Sequence, residues 1–365
     1  MHLPALDGVR AIAILMVVVY HSLNGMAGIT WSQKLLLRVT NQGWLGVDLF
    51  FVLSGFLITG ILIDARTSKH ALRSFYTRRV LRIAPVYVVF LLFSLWLASI
   101  VGTMSGAEGE QLRRTQLWFW TYTVNLLIAL RSWSATSSPT AHLWSLSVEE
   151  QFYLLWPAAV LLMSSVALRR TAIVCIIAAE ICRLVLILSY AGGQVNVVML
   201  PCRMDSLAAG ALLASAYRDP HLWSRVMAAR KWLLLAAIAA LLAIVIYRNG
   251  FDNQRPLEQL IGFPAIAALG SVIIVTAASG SAWLSSHPLR LVAKVSYGMY
   301  VWHLVAIRLM NKVVQLPHDV TPHSLWIFYG MMSVGTVIGT VILGLISWYI
   351  IEQPFLRLKR FVPYS

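Results

Sequence analysis

Residues 46–63 read GVDLFFVLSGFLITGILI, and with its flanks the apolar run extends over 43–63 with Asp48 as its one ionisable side chain. About 20 consecutive apolar residues are what a helix needs to cross the hydrocarbon core of a bilayer, so the run reads as a membrane span. The rest of the chain agrees. Of 365 residues, 59% are hydrophobic and 12% charged, against roughly 25% charged in an average soluble domain. Comparable runs, bounded by charges or turn residues, fall at about 8–28, 83–102, 148–168, 171–190, 199–217, 231–248, 260–279, 294–313 and 326–350. They predict an all-α polytopic membrane protein with about ten transmembrane helices. A further stretch, 118–130, is shorter and rich in Trp and Tyr, which suits a short interfacial or re-entrant segment.

Lys and Arg total 29 against 14 for Asp and Glu, a formal charge of +15. In a soluble protein that excess would suggest nucleic acid. Here no zinc-finger spacing, basic arm or RNA-binding box accompanies it, and no nucleic-acid partner is expected. Ten crossings instead put the clusters within 66–82, Arg169-Arg170, 218–231 and 357–360 on the side of the N-terminus. Cytoplasmic loops collect Lys and Arg, so both termini are expected in the cytoplasm. A full crossing by 118–130 would carry the later clusters to the other side. Without repeats or linkers, the chain reads as one membrane domain, 1–352, with a basic cytoplasmic tail, 353–365. The first run lacks a small-residue cleavage site and is expected to be retained as a span. Cys175, Cys182 and Cys202 form no C-x-x-C and read as small core residues.

An ionisable side chain at the bilayer centre costs about 2.5–3.5 kcal/mol on insertion scales, so each one calls for a reason. Arg10 and His21 stand 11 residues apart, about three helical turns and roughly 16 Å of rise, and project from one face. His21 is either a structural hydrogen-bonding residue or a base or nucleophile in a cavity. Asp48, at comparable depth on the second span, is suited to orient that imidazole or to form a plain buried ion pair. Arg79 and Arg82 share a helix face; with Arg78 they make a site for a phosphorylated ligand or simply serve the inside-positive bias. On the fourth span, Ser147 and Glu150 have capping-box spacing, and of the adjacent Glu149 and Glu150 one is expected to face a central cavity. Arg203, Asp205, Ser296, Tyr300 and His303 are further inward-facing candidates. Glu180 and Arg183, three apart, neutralise each other, and Gly335-x-x-x-Gly339 reads as close helix packing. No H-E-x-x-H, paired-cysteine site, G-x-S-x-G elbow or phosphate-binding G-x-x-x-x-G-K occurs, and no metal is expected. His2-x-x-x-x-Asp7 has the spacing of glycerolipid acyltransferases but stands at the extreme N-terminus without the rest of that fold.

Several segments together resemble one family. They are Leu6-Asp7-Gly8-x-Arg10 followed by His21, the Gly46 to Ile58 run, Arg79-x-x-Arg82-Ile83-x-Pro85, Trp144 to Tyr153, Arg203-x-Asp205 and Ser296-Tyr297-x-x-Tyr300-x-x-His303. In this order and spacing the chain resembles, over nearly its whole length, the integral membrane acyltransferases of acyltransferase family 3, which includes bacterial O-antigen, capsule, nodulation-factor and macrolide O-acyltransferases. The resemblance implies a multi-pass protein of the bacterial cytoplasmic (inner) membrane. It further implies an O-acyltransferase, most often an O-acetyltransferase, that moves an acyl group from cytoplasmic acyl-coenzyme A to a hydroxyl of a glycan, glycolipid or glycosylated small molecule. Arg10 and His21 then correspond to the family's R-x10-H element, Arg79 and Arg82 to its R-x-x-R element, and Ser147 and Glu149 to its outer Ser/Glu motif. Arg78, Arg79 and Arg82 would hold coenzyme A phosphates, with Arg10 on the donor side. His21, helped by Asp48 or Glu149, would act as base or transient acyl carrier, and Ser147, Arg203, Asp205, Tyr300 and His303 would serve the acceptor. A fused hydrolase-like domain, present in some members, would here be a separate protein. The rival reading is a proton-coupled secondary transporter using the same buried charges; it calls for half-chain symmetry and matching interrupted helices, which the sequence lacks.

Overall fold

A computed structural model describes residues 3–317 and 319–362. His2 and the last three residues of the expected tail lie outside the described residues. Ten long helices follow one another: α1 (Pro4–Leu23), α2 (Leu45–Asp64), α3 (Ala71–Leu92), α4 (Trp144–Leu162), α5 (Ser165–Leu188), α6 (Leu200–Tyr217), α7 (Pro220–Arg248), α8 (Phe263–Ala278), α9 (His287–Val313) and α10 (Pro322–Ser347). They correspond one to one with the ten apolar runs, and among the described residues no strand forms. Eight of them, several with short helical extensions, are long and apolar enough to cross a membrane. The other two, α4 and α9, have 19 and 27 residues but carry the polar side chains of the site described below. α1 and α10 begin about one turn, and α7 and α9 two to three turns, before the hydropathy does, because Pro at the first turn starts them at no cost in hydrogen bonds.

Contacts fix the helix directions. Along α2 and α4, Ser54 meets Glu149, Thr59 meets Trp156, and Arg66 just past α2 meets Val160, so these two helices are parallel. Along α2 and α6, Asp48 meets Arg203 and Asp64 meets Arg218, again parallel. Gly8 and His21 of α1 meet Leu284, just before α9, and His303 of α9, and Ile83 and Phe90 of α3 meet Tyr297 and Trp302 of α9, so α1, α3 and α9 share a direction. Between the two sets, Tyr76, Arg79 and Phe90 of α3 meet Leu154, Tyr153 and His142 in descending order, which is antiparallel. Alternation of this kind leaves no room for an extra crossing between α3 and α4. Residues 118–130 accordingly form the end of one short helix, Gly106–Trp120, and most of another, Val124–Arg131, turned by Tyr122 at φ 53°.

The pairing of α2 with α6 is exceptionally close. A Cβ on Gly55 would strike the Leu207 carbonyl, and one on Gly210 would strike the Val52 carbonyl. Glycine here lets two backbones touch in a setting where apolar lipid offers little drive for helix association. Gly335 and Gly339 of α10 likewise face Met310 and Ala306 of α9, as the spacing in the sequence implies. One expectation fails locally. α4 begins at Trp144, without a side-chain cap, so Ser147 lies inside the helix and its hydroxyl donates to the Leu143 carbonyl at 3.2 Å. There is no Ser147–Glu150 capping box, because the helix starts four residues before that box would place it.

Candidate active site

A cavity of about 620 Å³ runs between α1, α2, α3, α4, α6 and α9. One end is cationic. Arg10 of α1, Arg79 and Arg82 of α3 and Arg218 beside α6 all line it. Two of these guanidiniums are already engaged: Arg218 holds Asp64 through Nε and Nη2 at 2.6 and 2.7 Å, and Arg10 reaches Asp7 at 3.1 Å. The other two are available. Arg79 lies flat on the Tyr153 ring at 3.7 Å, and its buried Nε has no hydrogen-bond partner among the described residues. Arg82 makes no hydrogen bond or ion pair among them. A buried guanidinium donor without an acceptor, as at Arg79, is costly to maintain, and an anionic ligand with several oxygens can satisfy it together with the half-buried Arg82.

Midway along, Glu149 lines the cavity and Glu150 does not. Its Oε1 accepts from Ser54 at 2.7 Å and its Oε2 from Tyr153 at 3.0 Å; Tyr153 also donates to Ser54 at 2.9 Å. Tyr153 stands one turn from Glu149, so the phenol and carboxylate share a helix face. The far end of the cavity is bounded by Ser145 and Tyr300. Their hydroxyls are hydrogen-bonded to each other, and Tyr300 donates to the His142 carbonyl at 2.9 Å.

Beyond Tyr300 three imidazoles gather. The rings of His21 and His303 are 4.9 Å apart, as are those of His142 and His303, and Tyr300 lies 5.7 Å from His303. His21 does not itself line the cavity. Among the described residues, no group of His, Cys, Asp or Glu side chains is arranged to hold a metal ion.

The candidates read from the sequence therefore divide. Arg10, Arg79, Arg82, Glu149 and Tyr300 meet in one cavity, and His21 and His303 meet behind it. Asp48 and Arg203, given separate roles by their spacing, form one buried ion pair at 1% and 2% exposure. Asp48 makes no hydrogen bond to His21 among the described residues, and Arg203 stacks on Phe263 at 4.1 Å. Asp205 pairs with Arg183 at 2.9 Å, which also holds Glu180. None of these lines the cavity. Charges that reach each other inside a bundle pair off, and the pairs here tie α2 to α6 and α5 to α6. Arg78 also points elsewhere, donating to the carbonyls of Val362 and Lys359 at 2.9 and 3.4 Å and so holding the C-terminal segment, while Ser147 bonds its own helix. Ser54, Ser145, Tyr153 and His142 are the site residues that spacing missed. Tyr153 and Ser54 were traceable as polar groups one turn from Glu149 and within an apolar run, whereas His142 sits in a Ser/Thr-rich loop without periodicity.

Comparison with known proteins gives this site its class. Residues 3–345 match the acyltransferase 3 family model, described as an acyltransferase domain, and the chain belongs to that family. Over 381 residues it is 29% identical to the peptidoglycan O-acetyltransferase OatA of Listeria monocytogenes, covering 100% of this chain and 57% of that protein. Over 385 residues it is 29% identical to the putative peptidoglycan O-acetyltransferase YrhL of Bacillus subtilis, covering 100% and 56%. The O-acetyltransferase OatA of Staphylococcus aureus is 29% identical over 329 residues, 85% of this chain and 51% of its own. The chain thus spans little more than half the length of these relatives. No solved structure matches it.

Proposed function

We propose that this acyltransferase is an O-acetyltransferase that takes an acetyl group from acyl-coenzyme A at the Arg79–Arg82 end of the cavity, on the cytoplasmic side. It passes the group past Tyr300 to a glycan hydroxyl served from the opposite side of the bacterial cytoplasmic membrane. Peptidoglycan is the first acceptor to test, because the Listeria and Bacillus relatives are named for it. The observation that carries the reading is the cavity itself: two guanidiniums unpaired among the described residues at one end, Glu149 midway, and hydroxyls with a histidine cluster at or beyond the other. Charge-assisted hydrogen bonds from Arg to phosphate anchor the nucleotide, and the apolar side chains that also line the cavity, among them Leu6, Phe50, Leu53 and Leu57, suit a pantetheine arm.

The chemistry then falls to His21. In direct transfer, Nε2 of His21 takes the proton of the acceptor hydroxyl as its oxygen attacks the thioester carbon; the C–S bond breaks and the thiolate leaves, later recovering a proton as coenzyme A. General-base help of this kind contributes about 10²–10⁴-fold. In a two-step route Nε2 itself attacks the thioester carbon, the C–S bond breaks and the thiolate leaves; the hydroxyl then attacks the acyl-imidazolium, the C–N bond breaks, and the hydroxyl proton passes to the freed imidazole and on to the thiolate. Glu149, held by two hydroxyls, supports a positively charged intermediate. Family membership sets the transporter reading aside.

The test is transfer of label from radiolabelled acetyl-coenzyme A to glycans in membranes expressing wild-type protein or an equally well inserted His21→Ala variant. Label that depends on His21 is the expected result. Equal label in both would remove His21 from the chemistry, and no label with any acyl-coenzyme A and peptidoglycan precursor would overturn the reading.

A further inference from the structure

We infer that His303 is the positioning residue that, together with the Val17 carbonyl, sets the tautomer of His21, leaving Nε2 of His21 as its reactive atom. The argument starts from two backbone carbonyls. A carbonyl oxygen only accepts hydrogen bonds, so a ring nitrogen in contact with one is favoured in its protonated form, and more strongly so when a second acceptor lies beside it. His303 Nδ1 lies 2.6 Å from the Tyr300 carbonyl, which makes Nδ1 the donor and leaves Nε2 of neutral His303 as an acceptor. His21 Nδ1 lies 3.0 Å from the Val17 carbonyl and 3.3 Å from that same His303 Nε2. A proton on His21 Nδ1 satisfies both contacts at once. A proton on His303 Nε2 would instead leave a lone pair of His21 facing the Val17 oxygen. His21 is thus the Nδ1–H tautomer, and its Nε2, which has no hydrogen-bond partner among the described residues, presents the lone pair that a base or nucleophile needs.

In the familiar triad, a carboxylate on the imidazole's far nitrogen does this work, and spoiling the tautomer there costs about 10⁴-fold. Here a neutral imidazole takes the carboxylate's place. Asp48, the carboxylate whose depth matches that of His21, is bound to Arg203. His303 is held firmly enough to act so: it is fully buried, anchored at Nδ1 and flanked by the rings of His142 and Tyr300. Orientation by a residue behind the reacting one is the same logic that sets the tautomer of metal-bound histidines.

The inference rests on the reading of His21 as the transfer residue, but the tautomer can be observed without any turnover. Protein labelled with ¹⁵N-histidine, in lipid nanodiscs, is compared as wild type, His303→Leu and His303→Gln, with His21→Ala identifying the His21 signals. The wild type is expected to give a protonated signal at His21 Nδ1 and an unprotonated one at Nε2. His303→Leu shifts the population toward the Nε2-protonated form, and His303→Gln, whose amide oxygen can accept from Nδ1, restores the wild-type pattern. Acetyl transfer should fall about 10²–10⁴-fold in His303→Leu and recover at least tenfold in His303→Gln, with the KM for acetyl-coenzyme A unchanged because the Arg79–Arg82 end of the cavity is untouched. A protonated Nε2 in the wild type, or a His21 tautomer and transfer rate indifferent to His303→Leu, overturns the inference. An inactive wild type with the expected signals would count against the proposed function and leave the tautomer assignment standing.

Discussion

Asp48→Leu separates a structural role from a chemical one. Asp48 and Arg203 are 1% and 2% exposed, and Nε and Nη1 of Arg203 have no further partner among the described residues. Removing the carboxylate therefore leaves a guanidinium buried without an ion-pair partner among the described residues, with the Phe263 ring at 4.1 Å and the more distant charge of Asp205 as partial compensation. Breaking a buried pair by deleting one partner costs about 3–5 kcal/mol, which lowers the folded-to-unfolded ratio roughly 100- to several-thousand-fold. Replacing both partners with apolar residues of similar volume is often neutral, since neither charge is then left alone. The assay is thermal unfolding of detergent-solubilised wild type, Asp48→Leu, Arg203→Met and the double variant, with acetyl transfer measured on each. Both single variants should be strongly destabilised, and the double variant should regain most of the stability together with activity. A folded, stable Asp48→Leu protein without activity, or a stable double variant that transfers nothing, would refute this reasoning and return Asp48 to the chemistry.

Arg79→Ala and Arg82→Ala should each weaken acyl-coenzyme A binding about 10- to 100-fold, from a charge-assisted bond worth about 1.5–3 kcal/mol, as measured by calorimetry in detergent. Arg78→Ala should leave that binding unchanged and instead release the C-terminal segment, seen as faster tryptic cleavage at Lys359 and Arg360. Gly210→Val drives a side chain into the Val52 carbonyl and should lower stability by about 1–3 kcal/mol, read as a fall in thermal midpoint. Tyr153→Phe strips Glu149 and Ser54 of a shared donor and should reduce transfer at saturating donor while leaving the helix content by circular dichroism intact.

Helix number and order were legible because a bilayer demands long apolar runs, and the chain supplies ten of them between charged loops. Pairings across the bundle were harder to read. Periodicity places Asp48, Arg203 and Asp205 toward the interior and stops there; which interior charge meets which depends on helix order around the bundle. Asp48 consequently looked like the partner of His21, the nearest imidazole in depth, while Arg203 claimed it through the close α2–α6 contact. His303 was visible as an inward residue, yet its role emerges only where two carbonyls and one neighbouring ring meet. Arg78 shows the same limit on the loop side, since adjacency to Arg79 in sequence turns it roughly 100° away, toward residues near the far end of the chain.

The Ser145–Tyr300 contact at the far end of the cavity also has an electrical meaning. Water filling the cavity would carry the potential of its own side inward, so the membrane voltage would fall mainly across the layer of protein beyond the Ser145–Tyr300 contact. Moving one elementary charge through 100 mV costs about 2.3 kcal/mol, a penalty that would multiply for a nucleotide bearing several phosphates. An acetyl group is neutral and incurs no such cost. If the proposed function holds, a barrier at Tyr300 would sort by charge as well as by size: an ionic carrier would stay in its compartment, and the membrane would keep its gradient while a small uncharged group changed sides.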